Sequence, residues 1–133
     1  MKIELSNDLR TEVKRVRAAL LAIQTASLTA PLPSGHLAEP AATLGKILDF
    51  YFTAVERCYA DANAEFYRDW PLAMEAGRKT PACQYVLGLR IMAHKKRDEQ
   101  ATAGNVNFFI EYFDKALAGC VNLSDTPLVN QPK

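Results

Sequence analysis

Few side chains in this chain have the chemistry for catalysis, since 133 residues include only two histidines and three cysteines. Cys83 follows Thr80-Pro81, a pair that predicts the N-cap and the first residue of a helix. Its thiol therefore falls in a first helical turn, close in sequence to Arg78 and Lys79. Because helix-terminal amides and cations lower the pKa of a thiol, Cys83 is a candidate reactive thiol. The alternative is a small, buried core residue.

The histidines and the other cysteines give weaker indications. His94 and Asp98 are four residues apart, which suits either a base with its orienting carboxylate or a surface pair at a helix end. His36 lies in a loop, where we expect it to be solvated, and Cys58 and Cys120 lie on apolar stripes, where we expect structural roles. No H-E-x-x-H, G-x-G-x-x-G or Walker A motif occurs. We therefore predict no catalytic residue, no metal and no cofactor, and expect a protein that is not an enzyme.

Composition indicates one soluble domain. Apolar residues make up 49% and charged residues 23%, and the net charge of +1 is too small to imply a nucleic-acid or membrane partner by itself. Three cysteines without a CxxC pair suit a reducing compartment, and no apolar run approaches the length of a membrane span. We expect a cytoplasmic protein without a signal peptide, with one domain over residues 1–120 and an extended or disordered tail over 121–133.

The spacing of apolar residues predicts the elements that must position these groups. Helices are predicted over 6–29, from near 40 to about 69, over 81–97 and over 104–119, with a short helix near 71–76. The expected fold is all-α, a four-helix bundle of the up-down type. Since the segment 81–97 is apolar nearly all round, it is predicted to be the central, most buried helix. Aromatic residues in 50–70 and 108–113 predict that the second and fourth main helices share an aromatic layer, which is either core or a pocket for an apolar ligand.

The first predicted helix carries a heptad seam. Its members are spaced four and three residues apart: Leu9, Val13, Val16, Leu20 and Ile23. We predict that this seam is an interface for self-association or for a protein partner. A seam of this kind packs equally well inside one chain, so the core is an equal alternative.

Charge is segregated between two of the helices. Residues 77–97 contain six basic side chains and no acidic one: Arg78, Lys79, Arg90, Lys95, Lys96 and Arg97. The outer face of the second helix is acidic, so the two helices could pack side by side, or the charges could promote self-association. The favoured function is protein–protein interaction, with a homodimer as the favoured assembly. The alternatives are a nucleic-acid-associated regulator that uses the basic segment 78–97 and a bundle that binds a small apolar ligand.

Overall fold

A computed structural model describes residues 3–67 and 69–119 of the chain, and the predicted tail and Cys120 lie outside them. The described part is built from α-helices, which confirms the all-α class, and the short helix near 71–76 is present. The helices are α1 (Asn7–Ser27), α2 (Ala38–Ala62), α3 (Trp70–Arg78), α4 (Pro81–Arg97) and α5 (Ala103–Ala118). Short 3-10 turns cover Ser34–Leu37 and Ala64–Phe66.

Helix ends follow local side-chain chemistry. α1, α4 and α5 begin after Ser6, Thr80 and Thr102, and each hydroxyl accepts a hydrogen bond from the backbone N–H three residues later. Such caps satisfy one of the donors that a helix leaves unpaired in its first turn. α5 ends at Gly119, whose φ of 68° lies in the left-handed region that favours glycine.

α2 is shorter than the sequence predicts, because it ends at Ala62 and not near residue 69. Asn63 is buried, and its side-chain Nδ2 donates a hydrogen bond to the Tyr59 carbonyl at 2.8 Å. A side-chain amide that binds a nearby carbonyl competes with the helical hydrogen-bond pattern. The chain then leaves α2 through the turn Ala64–Phe66 and returns as α3.

The central element is α2, which contacts all four other α-helices. The prediction that 81–97 is the most buried helix is therefore wrong. α4 packs against α2 through one stripe of mostly small residues, and the remainder of its surface faces solvent. The buried residues of α4 are Ala82, Cys83, Val86, Leu89 and Ala93.

The heptad seam of α1 lies in the core. Val13, Val16 and Leu20 have no exposed surface, while Leu9 and Ile23 are partly buried and pack against the same core. α1 lies against α5 and α2, which occupy the positions that a partner would need. The prediction of an interface through Leu9, Val13, Val16, Leu20 and Ile23 is thus wrong, because the fold itself uses this seam.

α3 is fixed closely to α2. A Cβ atom at Gly77 would lie 3.1 Å from the Tyr59 Cβ and 3.2 Å from the Glu56 carbonyl oxygen, so any other residue would have to push α3 and α2 apart by a few tenths of an ångström. The Arg78 Nε donates to the buried Glu56 carboxylate at 3.0 Å. The loop that follows α1 and the loop that precedes α5 are joined through their backbones. Leu32 and Ala101 exchange backbone hydrogen bonds of 3.2 and 2.8 Å there.

Substitution of Leu20 tests the assignment of the seam to the core. We expect Leu20→Ala to lower the free energy of unfolding by about 2–5 kcal/mol, because it leaves a cavity among fully buried neighbours. Leu21→Ala is the matched control, since the Leu21 side chain is adjacent in sequence but 39% exposed. We expect this substitution to lower the free energy of unfolding by less than about 1 kcal/mol. Urea unfolding followed by circular dichroism measures both values. Equal effects of the two substitutions would contradict the assignment.

Candidate functional site

α4 presents an apolar face to solvent. Ile91 is 71% exposed and Met92 is 45% exposed, and Tyr85 and Leu87 extend the same surface. These four side chains and Gly88 form what we call the α4 face. Large apolar side chains that lie together on a surface are typical of sites where another molecule packs. The sequence places these residues on a helix correctly, but apolar periodicity alone does not reveal that α4 packs mainly against α2 and leaves this face exposed.

Gly88 lies at the middle of the α4 face. A glycine in a helix interior costs about 1 kcal/mol relative to alanine, so a compensating contact is informative. At Gly77 that contact is α2, whereas a Cβ at Gly88 would meet nothing within 4 Å. No described residue uses the space that Gly88 leaves, and the position favours the close approach of a molecule from outside.

The α4 face ends at charged side chains. An open groove of about 390 Å³ runs from Gly88, Ile91 and Met92 to Lys95, Lys96 and Glu99. The Lys96 Nζ lies 5.0 Å from the centre of the Phe108 ring, so this lysine is directed towards α5. The face therefore has an apolar centre and charge at its C-terminal end.

The basic segment is not one continuous patch. The Arg90 Nη1 lies 2.6 Å from a carboxylate oxygen of Asp49 on α2. Arg78 pairs with Glu56, which also belongs to α2. Basic and acidic segments thus pair inside the chain, which is one of the alternatives that the sequence leaves open. Of the other cations, Arg97 pairs with Asp98 at 3.3 Å, Lys79 is exposed before α4 begins, and Lys95 and Lys96 lie in its last turn.

The two cysteines in the described residues differ from expectation. Cys83 is completely buried, and burial raises the pKa of its thiol, although the Thr80 hydroxyl acts in the opposite direction. Arg78, the expected activating cation, pairs with Glu56. This environment favours the structural alternative for Cys83. Cys58, which was expected on an apolar stripe, is exposed instead, so that expectation is wrong.

His94 faces α2 and does not pair with Asp98. The Asp98 carboxylate contacts Arg97, and His94 lies with Arg90 and Arg97 along a groove of about 260 Å³ between α2 and α4. The opposite wall of this groove is the N-terminal half of α2, including Gly45. The sequence could not show this grouping, because it requires the packing of α4 against α2.

A small cavity lies among α2, α4 and α5. Its volume is about 30 Å³, and Tyr51, Tyr85 and Tyr112 contribute to its lining. The Tyr51 hydroxyl is buried without a hydrogen-bond partner in the described residues, and burial raises its pKa. Burial and a hydrogen bond with Tyr85 raise the pKa of Tyr112 to about 12. A cavity that binds benzene has about 150 Å³, so this one has room for a group the size of a water molecule.

The described residues also bear on two other classes of site, a metal centre and a membrane-spanning helix. Within residues 3–67 and 69–119, no three His, Cys, Asp or Glu side chains lie close enough together to hold a metal ion. No helix in these ranges combines the length and the apolar character needed to cross a membrane. Comparisons of the chain with protein-family models, curated proteins and solved structures found no match.

Thiol reactivity tests the environments of the cysteines. In a Cys120→Ser variant we expect a disulfide reagent at neutral pH to modify Cys58 rapidly and Cys83 only when the protein unfolds, because a raised pKa and burial both suppress thiolate attack. Absorbance at stopped-flow time resolution gives both rates. A Cys58→Ser, Cys120→Ser double variant is the control and should show no fast phase. A fast phase in that variant would mean that Cys83 is reactive in the folded protein.

Proposed function

We propose that the protein is a non-enzymatic interaction protein that forms a homodimer through the α4 face. The observation that carries the proposal is the exposed apolar surface of Ile91 and Met92 on both sides of a glycine that no internal contact requires. A second copy of α4 supplies an apolar surface of the same size and shape. Most soluble oligomers are built from such isologous contacts, in which one patch pairs with itself.

Charge favours an antiparallel pair of α4 helices. His94, Lys95, Lys96 and Arg97 occupy the last turn of α4, while its first turn contains no charged side chain. A parallel pair would place the two basic turns side by side, which is unfavourable. With Gly88 at the crossing point of an antiparallel pair, Lys95 and Lys96 of each copy lie beside the uncharged start of the other α4, and Arg97 comes opposite Lys79. Ile91 of each copy then faces Tyr85 of the other.

The expected dimer is weak. A contact made by one helix face buries less than about 1,200 Å² in total, which is the range of transient complexes. We therefore expect a dissociation constant in the micromolar range or weaker, and a monomer that stays folded, since the α1 and α2 core does not depend on the contact. Self-association through the heptad seam would instead require α1 to leave the core.

Substitution of Ile91 tests the homodimer. We expect sedimentation equilibrium to show a monomer–dimer equilibrium for the unmodified protein, and Ile91→Glu to weaken dimerisation by at least about tenfold, because a charge replaces an apolar side chain at the contact. Circular dichroism should remain unchanged, since Ile91 makes little contribution to the core.

The matched control for this experiment is Leu28→Glu. Leu28 is 75% exposed, about as exposed as Ile91, but lies at the end of α1. It should leave the dimer unchanged. A protein that stays monomeric at all concentrations would overturn the proposal, as would equal effects of the two substitutions, which would indicate nonspecific apolar association.

A further inference from the structure

The groove between α2 and α4 collects cations from two helices. Arg90, His94 and Arg97 line it from α4, and Lys46 lines it from α2 together with one carboxylate, Asp49. Two of its walls thus carry guanidinium, ammonium and imidazole groups, all of which donate hydrogen bonds to anions. The groove has a volume of about 260 Å³, which is close to the lower end of small-molecule sites.

Each permanent cation in the groove has one acidic neighbour, and these contacts leave donors available. Arg90 contacts Asp49 through Nη1, and Arg97 contacts Asp98 through Nε. Lys46 contacts Glu12 at 2.7 Å. A guanidinium has five N–H donors, so the nitrogen atoms not engaged by a carboxylate can still bind an anion. Surface pairs of this kind are worth about 0–1 kcal/mol, so rearranging them for a ligand costs little.

The floor of the groove is made of small side chains from α2: Ala38, Ala41, Ala42 and Gly45. A Cβ at Gly45 would meet nothing within 4 Å, so this helix-interior glycine has no internal neighbour that requires it. The small residues keep a recess open beneath the cations. Gly45 and the cations of α4 thus line the same groove.

We propose that this groove binds the phosphate group of a small molecule. Arg90 and Arg97 would make charge-assisted hydrogen bonds to phosphate oxygens, since the planar guanidinium matches that geometry. Lys46 supplies a third positive charge, and the imidazole of His94 supplies a further donor. The phosphate lies above Gly45, where a larger side chain would fill the recess.

The arrangement favours a small phosphate compound over a nucleic acid. A nucleic-acid backbone needs cations along an extended surface, and affinity then falls steeply with salt. Here Arg90, His94 and Arg97 line a single groove, while Lys79 and Lys95 lie outside it. An oligonucleotide is therefore the alternative ligand that the experiment must separate from a small phosphate.

Pyrophosphate is the probe, and its binding to the full chain is measured by isothermal titration calorimetry. We expect Arg97→Gln to weaken binding by at least about tenfold, because it removes charged hydrogen bonds. Lys95→Gln is the matched control in the same helical turn, and it should change affinity by less than about threefold, the screened effect of one distant charge. No binding of pyrophosphate, or equal losses in both variants, would overturn the proposal.

Two further variants separate the groove from general electrostatic attraction. Gly45→Leu should weaken pyrophosphate binding without destabilising the fold, because leucine favours the helix and its side chain extends into the space that a Cβ alone leaves open. Asp49→Asn should strengthen binding, because it removes a negative charge and releases Arg90. An unchanged affinity in Gly45→Leu would contradict the assigned recess. Tighter binding of a single-stranded oligonucleotide, reduced equally by Lys79→Gln and Lys95→Gln, would replace the proposal with an extended nucleic-acid surface.

Discussion

The packing of α2 against four other helices is the constraint on which the rest of the structure depends. Its apolar residues, including Leu44, Leu48 and Val55, are buried almost completely, and no single neighbouring helix covers them. α1 and α5 are needed for part of this surface, and α3 and α4 for the remainder. Each surrounding helix therefore has one inward face and keeps its other side exposed. The α4 face follows directly from this arrangement.

Ion pairs show how the outer helices lie along α2. Asp49 contacts Arg90, and Glu56, two turns further along α2, contacts Arg78, which comes earlier in the chain. The residue numbers of these contacts thus increase along α2 while those of their partners decrease from α4 to α3. An antiparallel arrangement requires this order. The Asp49 pair is exposed and contributes little to stability, whereas Glu56 is a buried carboxylate that would be costly without its partner. The acidic face of α2 and the basic segment 77–97 therefore contact each other within the chain at these two ion pairs.

Local signals in the sequence predict the helices well, and they fail where packing decides. Thr80-Pro81 and Gly119 give the ends of α4 and α5 correctly, because a cap acts within one turn. The early end of α2 depends on the contact of Asn63 with Tyr59, which apolar spacing does not register. The heptad seam of α1 is identical whether it meets α5 or a second copy, so its residues alone cannot distinguish core from interface.

The two candidate sites depend on information that only three dimensions supply. Gly45 and Gly88 interrupt predicted helices, whereas Gly77 directly follows the short helix predicted near 71–76, and all three lie within helices of the structure. In the structure, Gly77 lies where α3 packs closely on α2, whereas Gly45 and Gly88 face open space. Because glycine is unfavourable in a helix interior, Gly45 and Gly88 are informative where no internal contact requires them. The residues around each position then indicate what could bind there. Arg90, His94 and Arg97 line the groove at Gly45, and apolar side chains flank Gly88, which is why the proposed anion site includes the first position and the proposed dimer contact the second.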